Sequence, residues 1–223
     1  ARNGHASTLV LAPRLSAAEI EQLEARFGFA LPRELRRLLE HTAGVEGAPL
    51  ASIDFTGAGL TFEQKDLFPA GLPVAHDGSG NYWVLDLTPE TADIAPVFFV
   101  SRDASVVLYQ SPSLGYFLHE TFRMSMQPSL VEDVQKDRLY EVSRTHPRTL
   151  GRADALGGDE QLRDFALTLD DRFVFVDLRS PKIGMGFSWR RFGPQTEVRR
   201  HGYHRLFAYA PPRKASALRR LLT

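Results

Sequence analysis

Between residues 72 and 109 four apolar segments follow one another at short intervals: Leu72 to His76, Asn81 to Leu87, Pro96 to Val100 and Ser105 to Tyr109. The breaks include Asp77-Gly78-Ser79-Gly80 and Ser101-Arg102-Asp103-Ala104, which carry the turn chemistry that reverses a chain within a few residues. Segments this short, joined this tightly, have no room for crossover helices. They predict neighbouring antiparallel strands. Ser52 to Phe55 and Gly59 to Phe62 are expected to extend the same sheet.

Helices are signalled on either side. Ser16 with Glu19 forms a capping box, Leu15 and Ile20 occupy the staple positions, and Ile20, Leu23 and Phe27 recur at helical spacing before Gly28. Leu31-Pro32 opens a second helix with Leu35, Leu38 and Leu39 inward, and Gly44 is read as its left-handed cap. A third starts at Ser111-Pro112 and aligns Leu114, Phe117, Leu118 and Phe122. The fold class is therefore α+β: an antiparallel sheet flanked by helices, with an additional α+β region towards the C-terminus.

That additional region is more polar at first. Residues 124–160 read as a linker with a capped helix from Ser129 to about Val142, and residues 161–223 as a basic extension. A short helix from Asp159 to Phe165 leads into the extension, which holds strands at Phe173 to Leu178, Ile183 to Phe192, Glu197 to Arg200 and Arg205 to Tyr209. A helix from Pro211-Pro212 to Leu222 closes it.

Charge divides the chain in the same place. Residues 1–125 carry 9 basic and 15 acidic side chains, and residues 126–223 carry 18 and 12, so a neutral total hides −6 against +6. After Leu178, eleven Lys and Arg face Glu197 alone. Such a segment meets an anionic partner or the acidic half of its own chain, and the opposite signs predict that the two halves dock.

With no cysteine, disulfide scaffolds and thiolate metal sites are excluded. No apolar run reaches the ~18 residues of a membrane span. Ala1-Arg2-Asn3-Gly4-His5 reads as a trimmed or engineered end, and a cytoplasmic location is expected.

Candidate chemistry is sparse. His201 and His204, three apart in an expected strand, would point to opposite faces, so no metal site is assigned. His76, Asp77 and Ser79 lie together only as turn residues. Gly78-Ser79-Gly80 lacks the third glycine and following helix of a dinucleotide site. No catalytic residue and no cofactor are assigned. Phe187, Trp189, Phe192, Tyr203, Phe207 and Tyr209 interleave with arginines. That alternation fits either a single-stranded nucleic-acid platform or strands with one face in a core. Trp189, Arg190 and Arg191, after Gly184 and Gly186, have the composition of an interface hot spot.

The N-terminal half resembles the SUKH superfamily, which includes fungal cell-wall-synthesis regulators and bacterial immunity proteins. The resemblance rests on Leu15-Ser16 to Phe27-Gly28, Leu31-Pro32-Arg33-Glu34-Leu35 with Leu38-Leu39 and Gly44, Phe68-Pro69, Asp77 to Leu87, Ala95 to Phe99, and Ser113 to Phe122, covering residues 13–123. Many relatives have Asn-Gly after the second helix, where this chain has Thr42-Ala43-Gly44. The resemblance implies a binding module that neutralises a cognate protein toxin, a nuclease or other cytoplasm-acting effector, by stoichiometric occlusion. Nuclease clefts are basic, so Asp54, Glu63, Asp66, Asp77 and Asp86 are the candidate contact acids, although the same acids also suit a solvated face. A nucleic-acid-associated regulator using the basic region is the alternative.

Overall fold

The computed structural model describes residues 9–47, 52–60, 62–78, 80–101, 105–125, 149–189, 193 and 195–212. The expected helix at 129–142, the expected C-terminal helix beyond its opening Pro211-Pro212, and Arg190, Arg191 and Phe192 lie outside the described residues.

Helix α1 (Ala17–Phe27) starts on the Ser16–Glu19 capping box and ends at Gly28, whose φ of 79° is the left-handed cap that glycine permits. Its Glu24 carboxylate accepts from the Leu31 N–H (3.0 Å) and from Arg36 Nη1 (2.8 Å). That ties α1 to α2 (Arg33–Leu39). Helix α3 (Leu114–Ser125) is capped twice: the Tyr116 N–H donates to Ser113 Oγ, and the Leu114 and Gly115 N–H groups donate to the Glu34 carboxylate at 3.0 and 2.8 Å.

Two antiparallel sheets form. The larger has eight strands in the order β1 (Val10–Leu11), β2 (Gly44–Glu46), β3 (Ser52–Asp54), β4 (Gly71–His76), β5 (Asn81–Asp86), β6 (Val97–Ser101), β7 (Val106–Ser111) and β10 (Gly186–Ser188). The smaller has the order β11 (Glu197–Arg200), β12 (Leu206–Ala210), β9 (Val174–Asp177) and β8 (Thr149–Leu150). Helices α4 (Arg152–Leu156) and α5 (Glu160–Leu167) follow β8. Strand β10 lies far along the chain yet pairs with β7, so the C-terminal region completes the edge of the N-terminal sheet.

Successive side chains of a strand point to opposite faces, and three cores follow from that alternation. Trp83, Leu85, Val97, Phe99, Val106 and Leu108 pack with Ile20, Leu35, Leu39, Leu114 and Phe117 of the helices. The intervening residues Val84, Phe98, Val100 and Val107 pack with Val176, Phe207 and Tyr209 of the smaller sheet and with Phe187. Phe175, Leu206, Ala208 and Ala210, on that sheet's far face, pack with Ala155, Leu162, Phe165 and Ala166. The layers run helix, sheet, sheet, helix. Strands β6 and β12 are therefore buried along their whole length, which is why they read as unbroken apolar runs.

Three expectations need correction. Gly59 to Phe62 is not a strand in its described residues: the Asp54 carboxylate accepts from Thr56 N–H, Thr56 Oγ1 and Gly59 N–H, folding the chain into a turn, and Gly57 has φ 64°. Gly44 does not cap α2, which closes at Glu40; it sits in β2, where a Cβ would lie 2.5 Å from the Ile53 carbonyl oxygen. The Thr42 hydroxyl bonds there instead, donating towards the carbonyls of Ala12 (2.9 Å) and Gly44 (2.6 Å). Strand β10 is shorter than the expected Ile183 to Phe192. Strand β8 and helix α4 stand within residues 124–160.

Candidate protein-interaction surface

The register of the larger sheet decides which candidate residues share a surface. Asn81 at the start of β5 opposes Ser101 at the end of β6; Ser101 opposes Val106, and Val106 opposes Ser188. The β4–β5 turn and the segment leaving β10 therefore emerge at the same end of the sheet. Asp77, before that turn, binds across it by accepting from the Asn81 N–H (3.2 Å) and Asn81 Nδ2. Trp189, just after β10, donates its N–H to Ser105 O at 3.0 Å and rests half-buried on the Phe187 ring with centroids 5.6 Å apart. With strands spaced ~4.8 Å, the three steps from β5 to β10 separate these groups by roughly 14 Å. Such a span fits within one standard protein interface.

A long loop, residues 55–70, brings a third member. Phe62 is buried edge-on against Tyr82 (5.7 Å between centroids), and Tyr82 lies across from His76, the neighbour of Asp77. Glu63 is exposed immediately beyond that anchor. Asp66 is also exposed, but the next residue, Leu67, accepts from Arg200 Nη1 (2.9 Å) towards the opposite end of β5. The loop thus crosses the sheet between two ends. Glu63, Asp77 and Trp189 collect at one of them, Asp66 lies towards the other, and Asp54 is folded into its own turn.

Asp86 belongs to none of these surfaces. It shares the alternation of Tyr82 and Val84, so its carboxylate points between the sheets, where its side chain is 1% exposed. Arg200, also 1% exposed, donates Nη1 and Nη2 to the two carboxylate oxygens at 2.7 and 3.0 Å, and Arg205 Nε donates to Oδ2 at 3.0 Å. The rest of Arg200's donor fork reaches the carbonyls of Leu67, Tyr203 and His204, and its guanidinium lies 5.4 and 5.3 Å from the Phe68 and Phe207 rings. Every N–H of the fork is used, as a buried guanidinium requires. Asp86 is corrected from a contact acid to an internal one.

Among the described residues, most arginines of the second half pair within the chain. Arg172 meets Asp170 and Glu197, Arg179 meets Asp159 and Asp177, Arg152 meets Asp171, and Arg199 lies 3.8 Å from Glu197. Phe187, Phe207 and Tyr209 are buried, with Phe187 and Tyr209 stacked at 9°, so these rings build a core and not a platform for bases. The argument that set His201 and His204 on opposite faces also fails. Residues 201–205 form the turn after β11, and the two rings stack 5.5 Å apart. Among the described residues no group of three or more His, Cys, Asp or Glu could hold a metal ion, and no helix is long and apolar enough to cross a membrane.

Comparison with family models gives one decisive finding: residues 14–120 match the SMI1 / KNR4 family (SUKH-1). This part of the chain is a SUKH-1 domain. It takes in α1, α2, β2–β7 and the first half of α3, hence every buried residue of the helix-covered core. The SUKH-1 segment excludes β10 and the smaller sheet, which together cover its second face. Comparison with curated proteins and with solved structures finds no match.

The SUKH family includes toxin-immunity proteins and is generally a family of non-catalytic immunity or regulatory proteins. What the sequence did not reveal is that Trp189 comes to lie beside the SUKH-1 turns. Only the β7–β10 pairing brings it there, and no local pattern marks a strand pairing across so many residues.

Proposed function

We propose that this chain is an immunity protein that binds a cognate protein toxin, a nuclease or other cytoplasm-acting effector, and blocks it by stoichiometric occlusion. The SUKH-1 domain carries this reading. The sheet-end surface supports it with exposed Glu63, half-buried Asp77 and the half-buried ring of Trp189. Acids steer a partner with a basic cleft, and a tryptophan supplies apolar contact. Inhibition of this kind needs no turnover and no cofactor.

Co-expression with the product of an adjacent toxin gene tests it. Growth should be rescued, and the two proteins should elute as an equimolar complex. Failure of both, with the toxin shown to be active, sinks the proposal. The nucleic-acid reading receives less support, because Arg199 and Arg200, two of the arginines on which it depends, already meet carboxylates of this chain.

A further inference from the structure

The N-terminal half is acidic, but its basic residues are not evenly spread: Arg33, Arg36 and Arg37 fall within five residues of α2. Arg36 is drawn inward to Glu24. Arg33 and Arg37, one helical turn apart, and His41, just past the end of α2, border a groove of about 440 Å³. Leu38, Leu114 and Leu118 also line it, and Ile94 stands on the rim, 54% exposed.

The walls of this groove are fixed before anything enters. The N–H groups of Arg33 and Glu34 donate to the carbonyls of Ala92 and Asp93, each at 3.0 Å, so the segment bearing Ile94 is pinned to the start of α2. Ala95 is buried next to it, which holds Ile94 outward on a short anchored span. Two acids line the groove, and one of them, Glu34, has its carboxylate occupied by the N-terminus of α3. Asp93, the other nearby acid, is 64% exposed and paired with Arg33, itself 63% exposed, at 2.9 Å. An exposed pair of this kind contributes little, so Arg33 can exchange it for a carboxylate from elsewhere. Arg37 and His41 have no ion-pair partner among the described residues.

We infer that the groove between α2 and α3 is a docking site for an acidic segment of a partner protein, one that places an apolar side chain beside Ile94, Leu38 and Leu118 and carboxylates against Arg33 and Arg37. Arg37, which has no ion-pair partner among the described residues, and the exchangeable Arg33 select a carboxylate-bearing partner, and the leucine lining selects a protein segment over a nucleic acid, for which stacking rings would be needed. A pinned groove loses little freedom on binding. This site lies on the helix layer, apart from the sheet-end surface, and does not depend on the partner being a toxin.

A displayed library of random short peptides, panned against the full chain, provides the test. Enriched peptides should combine two or more carboxylates with a Leu, Ile or Phe. Their affinity should fall about tenfold or more in Arg37→Glu and in Ile94→Asp, and stay unchanged in Arg163→Glu, which stands on α5 in the opposite helix layer. All three positions are exposed, and unchanged thermal melting confirms that the variants fold. The inference is overturned if no peptide is enriched, if the enriched peptides lack acids, or if Arg37→Glu and Ile94→Asp leave their binding intact. It is equally overturned if those two substitutions instead abolish self-association in sedimentation or binding to a single-stranded oligonucleotide.

Discussion

The guanidinium of Arg200 grips the carboxylate of Asp86 across 114 residues of chain and two facing sheets. Apolar packing holds those sheets together, and this pair, with Arg205 beside it, is buried between them. Removing one member leaves a charge buried without its counterpart. Asp86→Ala or Arg200→Ala should each lower stability by about 3–5 kcal/mol. The double variant should cost much less than the sum, because the second change removes the stranded charge. Urea denaturation of the three variants measures this, and additive losses would mean that the pair is not a unit.

Asp86 also shows how far the sequence could be read. Its phase with Tyr82 and Val84 is visible in the alternation and points it inward, as Arg200's phase with Val198 does. What joins them is a sheet-to-sheet contact with no local signature. Helices α1 to α3 and strands β4 to β7 were legible because caps, turns and apolar period are local properties. The β7–β10 pairing, the placement of Trp189 and the short β8 and α4 were not. Those elements exist only through partners elsewhere in the chain, where tertiary contact outweighs weak local preference.

Gly186 is where β10 meets β7, and a Cβ at that position would collide with the Val107 carbonyl oxygen. Gly186→Ala should therefore push the strand off the sheet edge, at a cost of about 1–3 kcal/mol. The Tyr109 N–H, which donates to Met185 O at 2.7 Å, and the Trp189 N–H, which donates to Ser105 O, should lose hydrogen-exchange protection before the rest of the sheet does. Uniform protection across the sheet would show that the edge accommodates the methyl group.

His201 lies against Phe165, with ring centroids 5.0 Å apart. Burial, reinforced by neighbouring His204 and opposed by Asp164, pulls its pKa below that of a free imidazole. The folded state then binds the proton less well than the unfolded chain. Stability falls as pH drops through the unfolded imidazole range and levels off only below the folded value. The melting temperature should decline from neutral towards mildly acidic pH, and His201→Gln should flatten that slope. An identical slope in the variant would assign the dependence to other groups.

At the sheet-end surface, charge and aromatic contact should separate kinetically. Glu63→Lys with Asp77→Lys should slow association with a basic toxin domain on the order of tenfold at low salt, and the difference should shrink as salt screens both proteins. Trp189→Ala should act on the dissociation rate instead, with a loss of about 2 kcal/mol or more in affinity if the ring is a central anchor. Trp189 also packs on Phe187, so a melting curve must accompany the binding data. Surface plasmon resonance of the three forms distinguishes the roles. Association and dissociation rates equal to those of the unmodified chain would place the toxin on another face.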